Sequence, residues 1–322
     1  MTAPASGQQA ADWTQERERS NLRAMRLMRW FAMTAGRTLA RALLHPITLY
    51  FLLFGGKARR ASRGYLKRVL GRPATLADVY RHIHCFASTI LDRVYLLQGR
   101  HELFDVDCRD VEAIDQSLKD GTGAMLVGAH LGSFEALRAT AEARGARVAM
   151  VMYEDNARLI NTTLAAIAPG VQLSTIALGR PGTMLTLKRW LDEGGMAGLL
   201  ADRTLPTQSG RTRTLQLAFL GQEAPFSDGP FRLAAMLRRK VVMMAGLYHG
   251  GNRYELRFVE LADFRQVAAA GADLDALIVA ATKRYVALLE GLCREAPYNW
   301  FNFYDFWGAD ANPVAVAKPA VP

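Results

Sequence analysis

Residues 124–144 constrain the fold of this chain more than any other stretch. An apolar run, Ala124-Met-Leu-Val127, meets a glycine at Gly128, and the turn that follows carries His130. An Ala-rich run begins again after Ser133. A short apolar run stopped by glycine and followed by a helix start reads as a buried strand feeding a helix. Ser133 is a good N-cap, since its hydroxyl can accept from the first free N–H groups of the helix. His130 then stands in the turn, and Glu135 in the first helical turn. Residues five apart on one continuous helix lie about 140° apart, at ~100° per residue, so the two side chains can meet only if His130 stays outside the helix. In that geometry the Glu135 carboxylate can orient the imidazole and stabilise its protonated form. An oriented histidine at the carboxyl end of a strand is placed where open α/β sheets hold their sites, and it can take a proton from a hydroxyl or amine. On spacing alone, a surface histidine with an unrelated glutamate explains the pattern equally well.

Alternation continues along the chain. Thr75 and Asp78 have the spacing of a capping box opening a helix to about residue 97. Strands are expected at 104–107, 147–153, 171–178, 196–201, 241–248 and 253–261. Helices are expected at 110–119, 156–167, 181–193, 227–240 and 274–295, with 202–213 as a polar loop. The pattern predicts an α/β fold with a mixed central sheet covered by helices on both faces. His82 and His84 are two apart on a helix and make a poor metal pair; no metal site is expected. Residues 1–12 and 311–322 are expected to be disordered.

Charge divides the chain. The formal net charge of +10 is carried by residues 1–75, which hold 14 Lys/Arg and 3 Asp/Glu; the remainder is close to neutral. A generally basic nucleic-acid surface is therefore not indicated. Leu22, Met25, Met28 and Phe31 recur at helical spacing with Arg19, Arg23, Arg26 and Arg29 between them, the pattern of a basic helix lying on a membrane with anionic lipids. The apolar run 42–54 is too short to span ~30 Å of hydrocarbon, which needs about 20 residues. His45-Pro46 disfavours a straight helix there, and Lys57, Arg59, Arg60 and Arg63 follow. A monotopic anchor or a short re-entrant pair on the cytoplasmic face is expected, with a buried core helix bearing a basic outer face as the alternative. No signal peptide is expected. The partition is 1–74 as a basic membrane-associating helical segment, 75–310 as the α/β domain and 311–322 as a tail. Three cysteines without redox or metal spacing argue against a disulfide framework.

Three blocks then occur in a familiar order: His130-Leu-Gly-Ser-Phe-Glu135; a helix, glycine turn and strand over 187–203 ending in Asp202-Arg203; and Phe219-Leu-Gly-Gln-Glu-Ala224 followed by Gly229-Pro-Phe-Arg-Leu-Ala234. Together they resemble the lysophospholipid acyltransferase superfamily, with its His-x4-Asp/Glu motif, and most of all the late acyltransferases of lipid A biosynthesis. The resemblance covers about 124–261. It implies a membrane-attached enzyme that moves a fatty acyl group from a thioester donor, acyl carrier protein or CoA, to a hydroxyl or amine of a lipid or glycolipid acceptor, with no cofactor. His130 would be the general base and Glu135 its orienting partner. The lipid A enzymes commonly carry Asp-Gln where this chain has Asp202-Arg203, so Arg203 suits a different anionic group. Arg158 and Arg180 are candidates for the phosphate-binding arginine of the glycerolipid members. Gly132 and Ser133 lie in the turn whose backbone N–H groups, or else a nearby arginine, would hold the oxyanion. No Gly-x-Ser-x-Gly elbow surrounds Ser133, which favours direct transfer. A thioesterase using the same pair, or a catalytically silent lipid-binding scaffold, are the alternative readings.

The aromatic cluster at 298–307 suits either a membrane interface or acyl groove, or a core cap over the sheet, with the core reading preferred.

Overall fold

The computed structural model describes residues 6–154, 162–163, 166–168, 171, 173–203, 213–265 and 273–307, with side chains from residue 26 onward. Arg158, Arg211, most of the helix expected at 156–167 and the tail 311–322 lie outside the described residues, as do the side chains of Arg19, Leu22, Arg23 and Met25.

Three helices lead: α1 (Ser6–Phe54), α2 (Gly56–Leu70) and α3 (Leu76–Leu97). Residues 6–12, expected to be disordered, open α1. The break in α1 falls at Gly36, where φ is +80°, and not at Pro46, which sits inside the helix. Only glycine adopts that φ without strain, whereas the fixed φ of proline is helical and costs chiefly one hydrogen bond. Thr75 and Asp78 form the expected capping box.

The rest alternates: β1 (Asp105–Arg109), α4 (Glu112–Lys119), β2 (Ala124–Gly128), α5 (Phe134–Ala143), β3 (Val148–Tyr153), β4 (Thr175–Leu178), α6 (Thr183–Asp192) and β5 (Met196–Leu200). Then come β6 (Thr214–Phe219), β7 (Gln222–Ser227), α7 (Gly229–Met236), β8 (Lys240–Tyr248), β9 (Arg253–Asp263) and α8 (Leu274–Glu295). One mixed sheet has the order β1-β9-β8-β2-β5-β3-β4. β8, β2, β5, β3 and β4 run parallel, and β9 turns back antiparallel beside β8. The hairpin β6–β7 was not expected; it takes Ser227, and the helix foreseen over 227–240 covers only Gly229–Met236. Lys240 belongs to β8 instead, where its ammonium pairs with Glu260 at 3.0 Å.

Alternation along β2 shows how the sheet is sandwiched. Met125 and Val127 join a core with Leu187 and Leu191 of α6, Phe231 of α7 and Tyr285 of α8. Leu126 faces the other way, toward Ile114, Ala136, Leu137 and Leu96. Successive strand residues point to opposite faces, so β2 is buried on both sides. Leu52, Tyr65, Leu66 and Val69 of α1 and α2 join the first of these cores.

On α1, Ala40, Leu44, Thr48 and Leu52 recur every four residues and are buried, while Leu39, Leu43, Tyr50, Leu53 and Phe54 are exposed. Among the described residues no single helix is long and apolar enough to cross a membrane. The stretch 26–54 and α2 meet at 93°, and only as a pair have the length and composition of a broken span or re-entrant loop.

Candidate active site

The site lies where β2 and β5 end. These strands are parallel neighbours with Gly128 opposite Leu200. Each chain continues two residues beyond that pair, to His130 and to Asp202, and the Ala201 N–H donates to the Gly128 carbonyl at 3.0 Å. Adjacent strands lie about 4.8 Å apart, so the imidazole and the carboxylate meet: His130 Nδ1 is 2.9 Å from Asp202 Oδ1. Asp202 Oδ2 also accepts from the His130 backbone N–H at 3.1 Å and from Trp300 Nε1 at 2.9 Å. Burial by itself would raise the Asp202 pKa, but the charge and hydrogen bond of His130, the Arg203 guanidinium and the Trp300 donor outweigh it and hold it at about 2. An ionised carboxylate only accepts, so Nδ1 carries a hydrogen, and in the neutral form of the ring the lone pair is on Nε2. The carboxylate is 1% exposed and the imidazole 32%; the imidazole reaches solvent while the carboxylate does not.

This pairing differs from the expected one. Among the described residues no hydrogen bond or ion pair joins His130 to Glu135. Glu135 is buried in the first turn of α5 and makes an ion pair with Arg93 of α3, Oε1 to Nε at 2.7 Å. The turn holds His130 out of the helix as expected, but the side of the imidazole that needed a carboxylate faces β5.

Gly132 and Ser133 build the turn. Gly132 has φ of +67°, and a Cβ there would collide with the Gly246 carbonyl of β8. The Gly132 N–H donates to the Asn299 carbonyl at 2.9 Å and the Ser133 N–H to Gly246 at 2.8 Å. Ser133 Oγ caps α5 by accepting from Ala136 at 3.2 Å. With the Leu131 N–H on the Ala129 carbonyl, every backbone donor from His130 to Ser133 is engaged. The expected oxyanion donors in that part of the turn are thus already used.

Arg203 follows Asp202. One of its nitrogens reaches the Phe301 carbonyl at 3.4 Å, beyond the usual range for a strong hydrogen bond, and its guanidinium lies over the Tyr304 ring at 5.4 Å. Its Nε–H has no hydrogen-bond partner. Arg180 pairs with Glu154 at the surface beyond β3 and β4. β4 is three strands from β2 in the sheet order, about 14 Å at the usual strand spacing, so the structure does not bring Arg180 to His130. Arg213 pairs with Asp228 and Asp275. Among the described residues no three His, Cys, Asp or Glu side chains are grouped as metal ligands.

The aromatic segment is core, and it also completes the site. Leu131 and Trp300 form an antiparallel bridge, and the Phe301 N–H donates to the His130 carbonyl at 2.7 Å. The Trp300 indole is fully buried against Tyr65, Phe219 and Phe306. Buried His82, its pKa pushed down to about 4 by burial against a partly offsetting bond to Trp300, is neutral. Its Nε2 donates to the Trp300 carbonyl at 2.9 Å, and Nδ1 accepts from Ser62 at 2.8 Å. The spacing of His82 and His84 gives no sign of this bond, and the aromatic cluster as a whole does not single out Trp300. The signal available was a tryptophan inside the cluster at 298–307, since a buried indole N–H requires an acceptor.

The sequence matches the family model of the bacterial lipid A biosynthesis acyltransferases over residues 27–307. No curated protein matches it.

Proposed function

We propose that this chain, which belongs to the bacterial lipid A biosynthesis acyltransferase family, transfers a fatty acyl group from a thioester, carried by acyl carrier protein or CoA, to a hydroxyl of a lipid acceptor. The observation that carries the reading is the His130–Asp202 pair at the mouth of β2 and β5. Nε2 of His130 takes the proton of the acceptor hydroxyl as its oxygen attacks the thioester carbonyl carbon. The tetrahedral intermediate collapses with cleavage of the C–S bond. The imidazolium returns its proton to the leaving thiolate, leaving an ester and a free thiol. Asp202 holds the tautomer and stabilises the imidazolium, the part first given to Glu135. Glu135, with Arg93, anchors the start of α5, which carries the turn. The oxyanion falls to Arg203, whose Nε–H is unpartnered.

The exposed apolar row of α1 and the basic residues of 1–74 support attachment to the cytoplasmic leaflet, where anionic headgroups meet the arginines.

The test is transfer from a defined acyl thioester to lipid extracted from the native host, followed by mass spectrometry. Acylated lipid that disappears with His130→Ala supports the reading. Free fatty acid in its place, with no acylated lipid, replaces the reading with a thioesterase. Normal transfer by His130→Ala overturns the mechanism.

A further inference from the structure

The Asp202 carboxylate is almost wholly buried, so protein donors rather than solvent set its rotation. Oδ1 takes the His130 Nδ1–H, while Oδ2 takes the His130 backbone N–H and the Trp300 indole N–H. The indole is the one of these three donors that does not belong to His130. Trp300 also ties the carboxylate to the catalytic turn through its main chain. It bridges Leu131, and its two neighbours bond across the gap: the Phe301 N–H donates to the His130 carbonyl at 2.7 Å, and the Asn299 carbonyl accepts from the Gly132 N–H at 2.9 Å. One residue therefore holds the β2 side of the pair by its backbone and the β5 side by its ring.

Trp300 is itself held from behind. Its carbonyl accepts from His82 Nε2 of α3 at 2.9 Å, and His82 Nδ1 accepts from the Ser62 hydroxyl of α2 at 2.8 Å. Both residues are fully buried. A carbonyl only accepts, so a single tautomer of His82 satisfies both ring nitrogens. Phe303 stacks on the imidazole at 4.7 Å, and Tyr65 of α2 packs edge-on against the indole at 5.0 Å. A hydrogen-bonded path thus runs without a gap from Ser62 through His82, the carbonyl and indole of Trp300, and Asp202 to His130. A buried polar chain in which every member is satisfied rigidifies what it holds. α2 lies within 1–74, so the segment expected to serve attachment also reaches the catalytic carboxylate.

We propose that Trp300 is a positioning residue of the general base, fixing the Asp202 carboxylate against His130 Nδ1, and that His82, braced by Ser62, positions Trp300. The kinetic part of this role rests on the acyl-transfer reading. A carboxylate released by the indole can turn about its own bond, which weakens its hold on Nδ1 and lets the imidazole leave the orientation that serves proton transfer. The loss falls on the chemical step and not on substrate binding, because Trp300 and His82 are both buried away from solvent.

The experiment uses the whole protein and two readouts: kcat and KM for acyl transfer, and the downfield NMR resonance of the His130 Nδ1–H, assigned by its loss in His130→Ala. Trp300→Phe removes the indole donor. A second variant, with 3-benzothienylalanine in place of Trp300, puts sulfur where the N–H was and keeps the shape of the ring. Both are expected to lower kcat at least about tenfold, the worth of one hydrogen bond to a charged group, with KM changed less than about twofold. Both are also expected to move or broaden the resonance. His82→Leu is expected to act in the same direction by a smaller factor, about threefold. His82→Gln, whose amide can donate to the Trp300 carbonyl and accept from Ser62, is expected to recover most of that loss. Tyr95→Phe removes a buried hydrogen bond to the Ala32 carbonyl at the contact of α1 with α3; it shows destabilisation alone, a lower melting temperature with the resonance in place. An unmoved resonance in both Trp300 variants, or a loss confined to KM, overturns the role of Trp300. A His82→Gln variant no better than His82→Leu overturns that of His82. A moved resonance in a protein that transfers no acyl group leaves Trp300 fixing the pair and overturns the acyl-transfer reading instead.

Discussion

His130 and Asp202 are 72 residues apart in the chain and 2.9 Å apart in space. The contact exists because β2 and β5 are parallel neighbours in register, so that equal overhangs of two residues bring the side chains together.

Removing the imidazole is the most direct test. General-base catalysis contributes about 10²–10⁴-fold, so His130→Ala is expected to cut transfer at least about a hundredfold. Its melting temperature should stay near that of the parent, because the ring is partly exposed and Asp202 keeps its Trp300 and backbone donors. Near-normal turnover would refute the role.

Asp202→Asn separates the two carboxylates. Three N–H groups converge on Asp202, and an amide must turn its NH₂ toward at least one of them. Transfer should fall by about the same factor as for His130→Ala, and the two losses should be far from additive. Glu135→Gln leaves the Nδ1 partner in place; it should retain more activity than Asp202→Asn and lower the melting temperature by loosening Arg93. The opposite ranking would return the orienting role to Glu135.

Asp202 also sets a pH dependence. Its pKa is depressed to about 2 in the fold, against about 3.9 for an unperturbed aspartate. A depressed carboxylate adds stability that is fully present above the unfolded value and is lost as pH falls through the folded one. The stability gap between the parent and Asp202→Asn should be constant above about pH 5 and shrink between about pH 4 and pH 2. Denaturant unfolding at several pH values measures it, and a gap that widens on acidification would contradict the assignment.

Gly132→Ala tests the turn. Its positive φ and the Gly246 carbonyl leave no room for a Cβ. The variant should lose both thermal stability and transfer, whereas Gly145→Ala, also at positive φ but in open space, should lose stability alone. Equal activity in the two would mean that the turn tolerates movement.

Attachment can be tested without deleting 1–60, a cut that would take Leu52 from the core and Arg37 from buried Asp92. Replacing exposed Phe51, Leu53 and Phe54 by serine removes side chains worth about 1.5–3 kcal/mol each when buried in an apolar medium. The variant should move from the membrane to the soluble fraction with its melting temperature unchanged. Unaltered fractionation would place attachment elsewhere.

What this chain determined locally is visible without any coordinates. The apolar run before Gly128 with Ser133 at the helix start, the Thr75–Asp78 capping box, the alternation that builds the sheet and the blocks that mark the family all depend on residues within a few positions of one another. Local sterics and hydrogen bonds settle such features. The partner of His130 is not of that kind. Glu135 lay within reach on spacing, and Asp202 won because strand order put β5 beside β2. That order comes from burying both faces of the sheet, a property of the whole chain. The same holds for Trp300, whose indole reaches Asp202 across 98 residues, and for Ser62 and His82, brought behind it by the packing of α2 on α3. Period and capping can be read along a line, but which distant side chains share a buried charge is decided only when the core closes around them.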